Sequence, residues 1–213
     1  MTAPTEKHPF EPFLPEGAHI LFLGSFPPQP HRWCMPFYYP NWINDFWRIM
    51  GLIHFGDKNY FCIPAEKRFD ESAIRSFCTR EGLAFYDTVC EVRRLKDNAS
   101  DAFLEVVTPT DIPALLARIP ECHTLVTTGE KASTIIANTF GCLVPLVGGS
   151  VDIETPDQPP VGAEGGVGGN GIDVMPDPDR ASRPIRFWRM PSTSRAYPLP
   201  LEKKAEAYRK LFK

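Results

Sequence analysis

The chain has 213 residues, a formal net charge of −3 and 43% hydrophobic residues, a length and composition suited to one domain with a full core. No run of about 18 apolar residues occurs and the N-terminal segment lacks the charged-then-apolar order of a secretory signal, so we expect a soluble, cytoplasmic protein. The six cysteines, at 34, 62, 78, 90, 122 and 142, form no C-x-x-C pair and no cluster with histidine at zinc spacing, which argues against a metal site; no cofactor is expected.

In chain order, the first strand is "HILFLGSF" from His19, ending in the turn Gly24-Ser25-Phe26-Pro27-Pro28. Glycine there permits close backbone approach and the prolines set the direction of the exit. Leu23 to Gly51 then holds five prolines and eight aromatic residues, more rings than a connecting loop requires. Within it Ile43, Phe46, Trp47 and Met50 follow helical spacing. A second strand, "LAFYDTVC" from Leu83, carries Asp87. Ile112, Leu115, Leu116 and Ile119 predict a helix with Thr110 as its N-cap. "HTLVTTG" from His123 reads as a third strand, followed by a helix over 129–139. The fourth strand, "PIRFWRMPS" from Pro184, precedes a C-terminal helix, "LEKKAEAYRKLF".

Strands alternating with helices predict an α/β fold, here a three-layer α/β/α sandwich around a four-stranded parallel sheet. Ligands of such sheets bind beyond the carboxyl ends of the strands, so chemistry is expected in the segments after each strand. Between the third helix and the fourth strand, about 148–182, lies a Gly-, Pro- and acid-rich stretch read as a flexible insertion in a single domain. Seven acids and no Lys or Arg fall in 151–179, so the rest of the chain has a small positive balance. Arg189, Arg195, Lys203, Lys204, Arg209, Lys210 and Lys213 crowd the C-terminal part, as a basic face or a solvated helix end.

The loop residues form a pattern. Phe37, Tyr38 and Tyr39 precede Asn44-Asp45-Phe46-Trp47, and the fourth strand leads into Pro191-Ser192-Thr193-Ser194-Arg195. An aromatic platform, an amide and a hydroxyl-rich loop suit a heterocyclic base drawn out of a duplex, with the hydroxyls and guanidinium on phosphates.

The motifs "LGSFPP", "YYPNWINDFWRIMG", "GLAFYDTV", "TGEKA" and "MPSTSRAY" together resemble the uracil-DNA glycosylase superfamily, and within it the branch of mismatch-specific uracil and hypoxanthine DNA glycosylases, over roughly 18–146 and 184–212. The resemblance implies a monofunctional, metal-free, monomeric enzyme. Such an enzyme flips uracil or hypoxanthine out of DNA and hydrolyses its N-glycosidic bond. It implies Asn44 as the catalytic amide and Asp87 as a carboxylate that stabilises the sugar cation or orients water. Gly24, Ser25, Phe26 and Thr128 would surround the base, with Tyr39, or Tyr38 if the loop is offset, stacking on it. Ser192 and Thr193 would touch phosphates, and Ser194 or Arg195 would wedge the duplex. Phe26 stands where many members of the superfamily carry a reactive Asp or Asn, and Thr128-Gly129 where hypoxanthine-type members tend to have Asn-Gly. Asn44 equally suits helix capping, and Asp87 could pair with Arg93 or Arg94. The alternatives to an enzyme are a base-flipping module without turnover and a nucleotide-binding α/β domain with no DNA partner.

Overall fold

The computed structural model describes residues 4–95, 103–155 and 184–213. In chain order the elements are β1 (Thr5–Lys7), β2 (Ile20–Gly24), α1 (Phe46–Phe55), β3 (Cys62–Ile63), β4 (Arg68–Phe69), α2 (Glu71–Arg80), β5 (Leu83–Asp87), β6 (Val89–Arg94) and β7 (Leu104–Pro109). There follow α3 (Ile112–Ala117), β8 (Thr124–Thr127), α4 (Glu130–Phe140), β9 (Gly149–Glu154), β10 (Pro184–Arg189) and α5 (Leu201–Tyr208). The central sheet runs β5-β2-β8-β10-β9; its first four strands are parallel and β9 adds an antiparallel edge.

Continuous apolar runs make this sheet. In β2, Leu21, Phe22 and Leu23 are all fully buried although successive side chains point to opposite faces, so both faces are covered. On one face Phe22 stacks on Phe85 across the β2–β5 register, and Phe46 of α1 meets both rings edge-on at 5.2 and 5.7 Å. Helix α5 closes over α1 through Tyr208, whose ring lies 6.4 Å from that of Phe46. Each fully buried side chain of this size contributes about 1.5–3 kcal/mol, and the rings of α1 are concentrated here.

Several local expectations are corrected. The "LAFYDTVC" run is not one strand: after Asp87, Thr88 donates through both its N–H and its hydroxyl to Gly24 O, and the chain leaves as β6. Strand β6 joins a separate antiparallel sheet, β1-β6-β7. Helix α3 is capped by Asp111, which accepts from Ala114 N, while Thr110 donates its hydroxyl to Asp87 O at 2.8 Å. Ile43 lies outside α1 and is 53% exposed. The acid-rich segment begins as ordered structure, since Gly149–Glu154 pairs with β10; 156–183 lies outside the described residues. Among the described residues no helix is long and apolar enough to cross a membrane.

Candidate active site at the carboxyl rim of the sheet

Three adjacent parallel strands, β5, β2 and β8, end together and deliver Asp87, Gly24-Ser25 and Thr128 to one rim. Gly24 sits directly opposite Asp87 in the ladder. A Cβ on Gly24 would lie 2.5 Å from Asp87 Oδ1, so only glycine leaves room for the carboxylate to lean across the strand end. The rim is pinned from behind by hydroxyls, Thr88 on Gly24 O and Thr110 on Asp87 O.

Asp87 is buried, and its Oδ2 lies 2.9 Å from His8 Nε2. The pairing with Arg93 or Arg94 does not occur: Arg93 binds Glu105 and Arg94 binds Glu6. Phe26 projects over the β6–β7 cluster of Val89, Val92 and Leu104 and meets the His8 ring edge-on at 5.4 Å.

Tyr39 reaches the same rim. Its φ of +52° is a left-handed conformation that non-glycine residues rarely adopt and that surrounding contacts must hold in place. Those contacts are a face-to-face stack on Phe46, with centroids 3.8 Å apart, and a hydrogen bond between its hydroxyl and Thr128 Oγ1 at 3.2 Å. Burial pushes the Tyr39 phenol up, so it remains neutral, and either hydroxyl of the pair can donate to the other. Tyr38 is no candidate for stacking: only 4% exposed, it is packed against Phe85 and Phe37, and its hydroxyl donates to Glu11 O.

Asn44 is not the N-cap of α1: Asp45 holds that position and makes no side-chain cap hydrogen bond. Asn44 Oδ1 accepts from Phe46 N at 2.9 Å, two residues on, and its side-chain amide N–H groups make no hydrogen bond among the described residues. The next residue ties α1 to the fourth turn. Asp45 N donates to Thr193 O, Asp45 Oδ2 accepts from Lys204 Nζ at 2.9 Å, and Asp45 Oδ1 accepts from Arg195 Nε at 3.2 Å. A carboxylate at this helix start is favoured by the backbone dipole.

The fourth turn splits accordingly. Thr193 is 3% exposed and serves through its carbonyl, which removes its hydroxyl from the phosphate-binding set. Ser192 and Ser194 each accept from a backbone N–H two residues on, and Ser194 and Arg195 form the exposed tip. Lys204, expected among solvated lysines, is 1% exposed. Beside the tip opens a cleft of about 580 Å³ lined by Trp42, Asp45, Arg48, Lys58, Arg195 and Lys204, among others. Four cations against one carboxylate make it electropositive. It shares no lining residue with the Gly24, Tyr39, Asp87 and Thr128 rim, so the rim and the cleft are separate features.

Sequence reasoning missed His8, Asp45 and Lys204. Asp45 had a signal, its place beside Asn44 at a helix start; His8 had none, because its partner lies 79 residues away. Among the described residues no group of three or more His, Cys, Asp or Glu side chains is arranged to hold a metal ion.

No protein-family model and no curated protein matches the chain. Among solved structures it is similar to a solution NMR structure described as a "putative Uracil DNA glycosylase" from Methanosarcina acetivorans. That likeness has 22% identity over 64% of this chain and 79% of the other, with a TM-score of 0.47.

Proposed function

We propose that this protein is a DNA glycosylase of the uracil-DNA glycosylase type that excises a deaminated base, uracil or hypoxanthine, by hydrolysis. The observation that carries the reading is the convergence at one rim of a glycine-backed carboxylate, Asp87, and a strained tyrosine, Tyr39, hydrogen-bonded to Thr128. The sequence motifs support it, since the same residues stand in the segments that resemble this superfamily.

In this reading the everted base stacks on the face of Tyr39 turned away from Phe46, a contact of about 1–3 kcal/mol that offsets part of the unstacking cost. The C1′–N bond breaks with its electron pair leaving on the base, where the Thr128 hydroxyl and the Asn44 amide can donate to the developing anion. Asp87 faces the sugar cation and orients the water that adds to C1′, accepting its proton. Ser194 and Arg195 contact the duplex, and the electropositive cleft beside them takes the phosphate backbone.

A second reading, a base-flipping module without turnover, is favoured by two observations. Phe26 occupies a reactive place in the first motif, and Asn44 Oδ1 is already engaged by Phe46 N–H. Labelled duplexes containing uracil or inosine, incubated with the protein and cleaved at abasic sites by alkali, separate the two. Strand cleavage that falls at least tenfold in Asn44→Ala and Asp87→Asn is the expected result; salt-dependent binding without cleavage supports the module.

A further inference from the structure

The N-terminal arm brings a histidine to the rim. Strand β1 pairs antiparallel with β6, and His8 N then donates to Cys90 O at 2.7 Å, which turns the His8 side chain inward until it is 2% exposed. Rings surround it: Tyr86 at 4.7 Å, Phe26 at 5.4 Å, Phe10 at 6.0 Å and Tyr38 at 6.4 Å. In so apolar a box each ring nitrogen needs its own partner.

Both have one, and the arrangement is asymmetric. Nε2 faces Asp87 Oδ2 at 2.9 Å. Nδ1 lies 2.8 Å from Phe10 O and 3.2 Å from Phe10 N, an acceptor and a donor on the same residue. A neutral ring with its hydrogen on Nε2 donates to Asp87 and accepts the Phe10 N–H at Nδ1; a protonated ring donates to Asp87 from Nε2 and to the Phe10 carbonyl from Nδ1. The remaining neutral tautomer, with its hydrogen on Nδ1, donates to the Phe10 carbonyl instead, so the hold on an ionised Asp87 selects the first two.

We infer that His8 is the positioning residue for Asp87: it occupies Oδ2 and so fixes Oδ1 over the Gly24 backbone, facing the substrate. The inference rests on Asp87 being a reacting group, as proposed above. A clamp that only fastened the arm to the sheet would bury and pair the same groups, so the two roles are told apart by the excision rate when the donor is removed and restored.

The test uses the full chain with His8→Leu, which removes the donor, and His8→Gln, whose amide nitrogen extends about as far as Nε2. Single-turnover excision from uracil and inosine duplexes is measured beside duplex affinity and thermal melting. Misplacing a reacting group by about 1 Å costs roughly 100-fold in rate. Loss of that order is expected in His8→Leu with duplex Kd within about twofold of the parent, recovery of at least about tenfold in His8→Gln, and little further loss when His8→Leu is added to Asp87→Asn. An unchanged rate in His8→Leu overturns the inference while leaving the glycosylase reading intact. Equal losses of rate and affinity, with His8→Gln no better than His8→Leu, reduce His8 to a clamp and also overturn it. Should His8→Leu not fold, His8→Asn, too short to reach Asp87, takes its place against His8→Gln. A parent protein inactive on both duplexes removes the glycosylase reading, and the inference falls with it.

Discussion

Two carboxylates buried among the described residues, Asp45 and Asp87, have opposite surroundings. Asp45 has both oxygens on permanent cations, Lys204 and Arg195, and its backbone N–H on Thr193 O, so it is a rivet between α1, the fourth turn and α5. Asp87 has one oxygen on an imidazole and the other over a bare glycine Cα. The first is held on both oxygens; the second is held on one, and the other is the oxygen that the proposed function assigns to a reactant. Burial of an acid by itself marks neither structure nor chemistry, and the completeness of its partner set separates the two.

Breaking the rivet should have the largest effect on stability. Lys204→Met leaves Asp45 buried with only the half-exposed Arg195, a loss of about 3–5 kcal/mol by urea unfolding. Asp87→Asn should do the reverse, costing about 1 kcal/mol in stability while abolishing most single-turnover excision; a variant that unfolds like Lys204→Met would erase the contrast. Gly24→Ala sharpens it further: the added methyl meets Asp87 Oδ1 at 2.5 Å, so about 1–3 kcal/mol of overpacking and a displaced carboxylate are expected. Arg195→Ala, removing the exposed partner of Asp45, should change stability by less than about 1 kcal/mol yet lower the salt dependence of duplex affinity by about one unit of slope.

The smallest effect concerns a different histidine. His54, on α1 between Phe77 and Phe212, has its Nε2 buried without a hydrogen-bond partner. Burial lowers its pKa, with Arg80 adding to the shift and Glu81 opposing it. The neutral ring is therefore the form the fold prefers. Its contribution to stability is complete above the unfolded-state value of about 6.5 and is lost as the pH falls below it. His54→Phe should flatten the unfolding free energy between about pH 7 and 5 relative to the parent.

Much of the frame could be read from the residues. Leu21 to Leu23, Leu83 to Phe85 and the run from Thr124 are continuously apolar because a parallel strand is covered on both faces, and their order predicted the parallel sheet. The β1-β6-β7 sheet was not legible, because β1 has three residues, all three strands bear charges, and β6 follows β5 with a single residue between. At the site, the places of Gly24, Tyr39, Asn44 and Asp87 were readable as turn and strand-end positions. Tyr38 and Thr193 were assigned to the wrong side of the surface, since adjacent loop residues share composition but not direction.

What the sequence determined alone was local: apolar periodicity sets which segments become strands and helices, and glycine and proline set where they stop. Which groups meet was decided only by tertiary structure. His8 reaches Asp87 because β1 pairs with β6, and Lys204 reaches Asp45 because α5 packs on α1. Such pairings depend on distance through space between residues 79 and 159 apart in the chain, and no periodicity along it encodes them.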